Sequence, residues 1–202
     1  MNMLKPLNAR NGVEKSRVKR LRELTHEAHE RLDKRITGAE PFADRELYGL
    51  FLNVQYQFHR DIEALYANAT LQKLLPDLAN RCRLNLIAAD ITDIDLPVPV
   101  SDGSPAFRGE PDIATALGWL YVAEGSNLGA AILLKRAAVM GLDENFGARH
   151  LAPHPQGRGL RWHIFTEAFD VVPLNAEEEG RVIAGGVEAF DRVHALVGEN
   201  FE

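Results

Sequence analysis

The sequence predicts an all-α protein, on three observations. Glycine and proline punctuation divides the chain into long stretches, apolar residues within them recur every three or four positions, and no run alternates apolar and polar residues far enough to build a sheet. A first helix is expected from about Glu14 to Ile36, with Val18, Leu21, Leu24, Ala28, Leu32 and Ile36 along one face and Gly38 and Pro41 to stop it. Asp44 is placed to cap a second helix over about 45–68, striped by Leu47, Leu50, Phe51, Val54, Phe58, Ile62 and Leu65. A third, over about 77–91, follows Pro76, and the proline-bearing stretch from Thr92 to Pro111 reads as a loop. The last helix, over about 176–200, carries Ile183, Val187, Phe190, Val193, Val197 and Phe201 on one side.

Between the loop and the last helix lies Ile113–Leu134, where Glu124 is the one charged residue and apolar side chains occupy most of the circumference. Such a segment must be buried. Its length satisfies the criterion for a membrane span, but a central Glu, the polar triplet Gly125-Ser126-Asn127 and the charge-rich neighbouring helices favour the central helix of a soluble bundle.

At 202 residues, 46% hydrophobic and 26% charged, the chain fits one ordinary domain with a buried core, read as 15–202 after an N-terminal extension over 1–14. The net charge of −6 argues against a nucleic-acid binder. Charge is uneven, with ten Lys and Arg against five Asp and Glu in residues 1–35, so the opening is +5 and the remainder −11. A single cysteine, Cys82, allows neither an internal disulfide nor a Cys-rich zinc site, and no apolar leader is visible, so the expected compartment is the cytoplasm. Neither a P-loop nor a dinucleotide fingerprint occurs.

Two constellations carry chemistry. In Leu24-Thr25-His26-Glu27-Ala28-His29-Glu30-Arg31-Leu32-Asp33 the two histidines stand about 60° apart on a helix. His29 lies nearer the apolar stripe, and Asp33, one turn on, is placed to accept its Nδ1 hydrogen and leave Nε2 for a metal. Arg22, seven residues earlier, falls on nearly the same face, about 10.5 Å along the axis. Base, orienter and distant cation suit a ligand with a metal centre and an anionic edge; a plain salt-bridged surface pair fits the same spacing. The second constellation, Glu124-Gly125-Ser126-Asn127-Leu128-Gly129-Ala130-Ala131, puts two glycines on one ridge of the buried helix at about 1 kcal/mol each relative to Ala. Either another helix packs closely there, or a flat ligand lies against bare backbone where the helix kinks.

The first of these segments resembles the proximal helix of the haem oxygenases, in which a Thr stands four residues before the iron-ligating His. Gly118-Trp119-Leu120-Tyr121-Val122-Ala123 running into the glycine ridge resembles their distal helix, above all in the iron-acquisition enzymes of Gram-negative bacteria. Asn145-Phe146-Gly147-Ala148-Arg149-His150-Leu151 and Glu63-Ala64-Leu65-Tyr66 fit the same group, and the likeness runs in order over about 15–201. It implies a multi-helix bundle holding haem between the N-terminal proximal helix and a kinked distal helix, with haem both substrate and cofactor. Such enzymes activate O₂ on the reduced iron and open the ring at a meso carbon, releasing biliverdin, CO and iron. His29 is then the axial ligand, oriented by Asp33. Gly125 and Gly129 form the distal wall, Ser126 and Asn127 hold water, and Arg22 anchors a propionate. Tyr121, Arg136 and Phe190 complete the pocket. A bare backbone wall beside the oxygen disfavours the O–O cleavage that a distal acid or base promotes.

This chain departs from the family in places. Where vertebrate-type enzymes carry an Asp after the first distal glycine, Ser126 stands here. The subgroup that opens the β or δ position has Asn, Lys and Phe where Arg22, Thr37 and Tyr121 stand, and its second Lys matches Arg136. A basic residue at the Arg22 position pairs with a propionate in α-selective relatives, so α cleavage is the expectation. The basic opening suits both propionates and an acidic electron donor such as ferredoxin, or a ferredoxin reductase; a monomer without membrane or nucleic-acid partners is expected. His59, His150, His154 and His163 read as surface histidines, and Cys82 as structural. Rival readings are a haem carrier without turnover, a helical scaffold with no cofactor, and a di-iron carboxylate bundle. The last would use Glu23-x-x-His26 and Asp191-x-x-His194 with Glu63 and Glu124.

Overall fold

A computed structural model describes residues 16–100 and 103–202; the extension expected over 1–14 lies outside them. Eight α-helices follow one another: α1 Arg17–Leu24, α2 His26–Gly38, α3 Arg45–Ala67, α4 Ala69–Leu74, α5 Leu84–Asp93, α6 Ile113–Val139, α7 Arg158–Asp170 and α8 Ala176–Phe201. Short 3-10 turns occupy Leu78–Arg81 and Arg149–Leu151, and no strand forms among the described residues. The all-α expectation holds.

Local chemistry sets most of the boundaries. The Asp44 carboxylate accepts from the Leu47 amide at 2.8 Å and starts α3; Asp112 does the same for Thr115 at the head of α6. Asn175 and Glu178 close a reciprocal capping box on α8. The single helix expected over 14–36 is instead two, because the chain breaks step at Thr25 (φ −101°, ψ 3°), whose hydroxyl donates to the Leu21 carbonyl at 2.8 Å. The helix expected over 77–91 is a 3-10 turn followed by α5, which begins only at Leu84. Helices α4 and α7 escape the apolar pattern altogether.

Helix α6 is the axis of the core. Ala116, Leu117 and Leu120 are fully buried, and the helix crosses α8 so closely that a Cβ on Gly118 would stand 2.5 Å from the Gly186 nitrogen, while one on Gly185 would overlap the Thr115 carbonyl. By length and composition alone α6 could cross a membrane, yet half of its most apolar stretch lies inside this bundle. Around it, Phe58, Ile62 and Leu65 of α3, Phe165 and Phe169 of α7 and Val182, Val193 and Leu196 of α8 complete the larger apolar cluster. A smaller one gathers Tyr48, Phe51 and Leu52 with Ile87, Ile91 and Leu151. Helix α2 leans on α8, as α6 does, but α2 and α6 make no extended contact with each other. The space between them is where the site is sought.

Candidate active site

The glycine ridge of α6 is uncovered. A Cβ on Gly129 would meet nothing within 4 Å, and one on Gly125 would reach only the Trp162 ring at 3.5 Å, an ordinary contact. Close helix packing therefore does not explain this pair; that task falls to Gly118, Gly185 and Gly186, half a helix away. Through both ridge glycines α6 runs without interruption, so the expected kink involves no break in the helix. Ser126, exposed beside the ridge, donates from its hydroxyl to the Ala123 carbonyl at 2.7 Å, the back-bonding that bends helices. Asn127 sits two residues beyond Gly125, about 200° around the helix, and lines a different cleft together with Glu124 and Arg158. It therefore stands on a different side of the helix from Ser126, with which it is expected to hold water.

On α2, the His29 Nδ1 stands 3.4 Å from the Asp33 carboxylate, with the side chains 55% and 64% exposed. The ring meets Phe190 of α8 edge-on, centroids 5.5 Å apart at 87°. Phe190 is itself buried, so the imidazole is held on one side by an aromatic wall and open on the other. His26, 65% exposed, pairs with Glu30 at 3.4 Å and points elsewhere. Tyr121 is buried on α6 between Trp162 and Phe169. Burial pushes its phenol above the usual tyrosine range, and the nearby Arg22 guanidinium opposes the rise, which sets Arg22 of α1 close to α6. Arg22 and Arg136 are both exposed. Leu24, Leu128 and Ile132 are unusually exposed apolar side chains on these same helices.

The di-iron reading finds no support here. Among the described residues no three or more His, Cys, Asp or Glu side chains gather as a metal would require. Glu124 is buried against Arg81 at 2.7 Å and accepts from the Tyr66 hydroxyl at 3.3 Å. Desolvation pushes its carboxyl above the usual range and the Arg81 guanidinium opposes that shift. An isolated acid in an apolar run demands such a partner, and that was the sequence signal for Arg81.

Two histidines expected at the surface are buried instead. His150 hydrogen-bonds Asp90 through Nδ1 at 2.7 Å, and both residues are almost wholly inaccessible. Burial holds the His59 imidazole down to about pKa 3, with the Arg83 and His150 charges adding to the effect, and burial also lowers His150. The basic opening is corrected too. Within its described part Arg17, Arg20, Arg31 and Arg35 pair with Glu179, Asp191 and Glu202, all on or at the end of α8, so much of this charge is neutralised internally.

Comparison with known proteins decides the family. The model of the family described as "Heme oxygenase" matches residues 102–199. The curated protein "Heme oxygenase PigA" of Pseudomonas aeruginosa is 43% identical over 201 residues, covering 100% of both chains. The chain belongs to the heme oxygenase family. The solved NO- and CO-bound heme oxygenase of Neisseria meningitidis superposes with a TM-score of 0.87 at 36% identity, covering 93% of each chain. That of Leptospira interrogans, at 19% identity and TM-score 0.70 over 91% of this chain and 99% of its own, shares the fold. As a haem oxygenase the protein is an enzyme that degrades haem with O₂ and electrons from a redox partner. The residues fit such a substrate: a ridge without side chains for a flat ring, an imidazole with one free nitrogen for iron, and the guanidiniums of Arg22 and Arg136 for carboxylates.

Proposed function

We propose that haem is held between α2 and α6 with His29 as its iron ligand, and that its ring is opened at the α position to give biliverdin, CO and free iron for iron acquisition. The single observation that carries this reading is the uncovered ridge at Gly129, a helical glycine that no protein atom packs against. Haem supplies the metal that binds O₂ and the carbon that is oxidised. The chain's own residues do the rest. Asp33, with its carboxylate 3.4 Å from the His29 Nδ1, is placed to take that hydrogen and so to fix the tautomer that leaves Nε2 free. Phe190 holds the ring from the side. Gly125 and Gly129 keep side chains away from the oxygen, and Ser126, whose hydroxyl proton is committed to Ala123, offers lone pairs to water beside them.

Arg22 anchors a propionate, and its nearness to Tyr121 favours α over the rotated seating that Arg136 would serve. The electron donor is an acidic protein of the ferredoxin class or its reductase, drawn by the exposed basic residues that α8 leaves unpaired. On this reading the enzyme works as a monomer in the cytoplasm, the compartment that the single cysteine favours. In the test, haem is titrated into wild type and His29→Ala, reductant is added under air with catalase, and the product isomer is separated. His29→Ala is expected to keep its helical circular dichroism while losing the wild-type Soret band and most turnover. Wild-type turnover by His29→Ala overturns the ligand assignment, and mainly β and δ biliverdin from the wild type overturns α cleavage.

A further inference from the structure

The face of α6 that carries Glu124, Asn127 and Leu128 opens on a cleft of about 220 Å³, which meets the glycine ridge at Trp162 and is smaller than the pockets that hold drug-sized ligands. Five arginines line it, Arg81, Arg83, Arg149, Arg158 and Arg161, and Glu124 is the one lining acid. Three of the five are answered. Arg81 pairs with Glu124, Arg161 with Asp77, and Arg149 with Asp90 and Asp93. Arg83 and Arg158 are different. Arg83 donates to the His150 carbonyl, and Arg158 to the carbonyls of Leu151 and, at 3.3 Å, Asn127. Among the described residues neither meets a carboxylate.

Two guanidiniums satisfied only by main-chain oxygens, in a concavity, leave positive charge uncompensated. Their titration agrees. Burial lowers Arg83, and the charges of Arg158 and Arg161 lower it further against the pull of Glu124 and Tyr66; burial lowers Arg158 as well. A third source of positive potential is the start of α7, whose N-cap, Gly157, brings no side chain to the first-turn amides. The rest of the wall is mixed, with Leu86, Leu128 and Trp162 beside the polar side chains of Asn80, Asn127 and His154.

We propose that this cleft is a second ligand site, which takes a small organic di- or tricarboxylate with its charges on Arg83 and Arg158 and its carbon skeleton against Trp162. Bidentate guanidinium–carboxylate pairing supplies the affinity, and the small volume of the cleft selects a compact anion over a tetrapyrrole. Because Arg158 also holds the Asn127 carbonyl, an occupied cleft is felt on α6 beside the haem ridge.

The test uses the full-length protein without haem, so it stands independently of the haem reading. Citrate and inorganic phosphate are titrated at low ionic strength by calorimetry, and the amide resonances of Gly157 to Leu160 and of Asn127 are followed. Citrate is expected to bind one-to-one and to shift those amides. Arg158→Gln, at a partly exposed position, should weaken citrate at least tenfold while still giving the wild-type haem spectrum. Arg136→Gln, on the other face, should leave citrate affinity unchanged. The proposal is overturned if citrate gives no saturable binding, if Arg158→Gln binds it as well as the wild type, if Arg136→Gln abolishes binding, or if phosphate binds and citrate does not.

Discussion

Gly118 and Gly129 lie on one helix, about three turns apart, and a methyl group has opposite consequences at the two. At Gly118 it collides with the α8 backbone; at Gly129 it meets open space. Gly129→Ala should therefore stabilise the haem-free protein by about 0.5–1 kcal/mol, the helix-propensity difference, while slowing haem turnover. Gly118→Ala should lower the melting temperature instead, and thermal melts of both variants check the pair. His59 provides a second residue-scale test. Its folded-state pKa is depressed to about 3, so between about pH 6.5 and 3 the unfolded chain binds a proton that the native state refuses. The stability tied to neutral His59 is fully present above pH 6.5 and is lost as pH falls, by about 1.4 kcal/mol per pH unit. His59→Leu should flatten that acid limb in denaturant titrations run from pH 7 to 4. An unchanged slope would show that His59 is not buried neutral. Single residues were the least legible feature of the sequence. His59 follows Phe58 of the α3 stripe, but the groups that act on it, Arg83 and His150, lie far away along the chain.

The elements were read best where an apolar stripe and a cap agree. Helices α3, α6 and α8 begin where Asp44, Asp112 and Asn175 cap them, and α6 runs five residues past its expected end at Leu134 to Val139. The break at Thr25 was hidden because one stripe continues through α1 and α2 on the same side. Helix α7 was missed because only Phe165 and Phe169 of its thirteen residues are buried, too few to show a period. What ties α1 down is also a tertiary matter. Arg17 donates to the Phe169 carbonyl, to the Val172 carbonyl at 2.6 Å and to Glu179 at 2.7 Å, joining α1 to the end of α7 and to α8. Arg17→Met strips three acceptors of their donor and leaves Glu179 without its closer cation. The expected loss is about 3 kcal/mol, read from chemical denaturation with the helical content of the native state unchanged.

At the scale of the whole molecule, α8 is the platform on which the proximal and distal helices are separately mounted. It seats α6 through the crossing at Gly118, Gly185 and Gly186, and it seats α2 through Phe190 and the pairs Arg31–Asp191 and Arg35–Glu202. The space proposed for haem is what remains between two helices that each pack on a third. The ridge and the histidine face were legible in the sequence because residue spacing alone decides them. Their uncovered state was not, since it depends on how α8 holds the two helices apart. Arg181 tethers the early part of this platform to Asp112 at the head of α6, at 3.2 Å. That pair is half exposed, so Arg181→Gln should change stability by under about 1 kcal/mol and leave the haem spectrum intact.

The most direct test of the central claim follows the visible spectrum of the haem-loaded protein after a reductant is added under air, with catalase present and CO trapped. The account predicts a sharp Soret band on haem addition, which decays to the spectrum of biliverdin with CO released in step. A Soret band that forms and persists unchanged under reductant would contradict it.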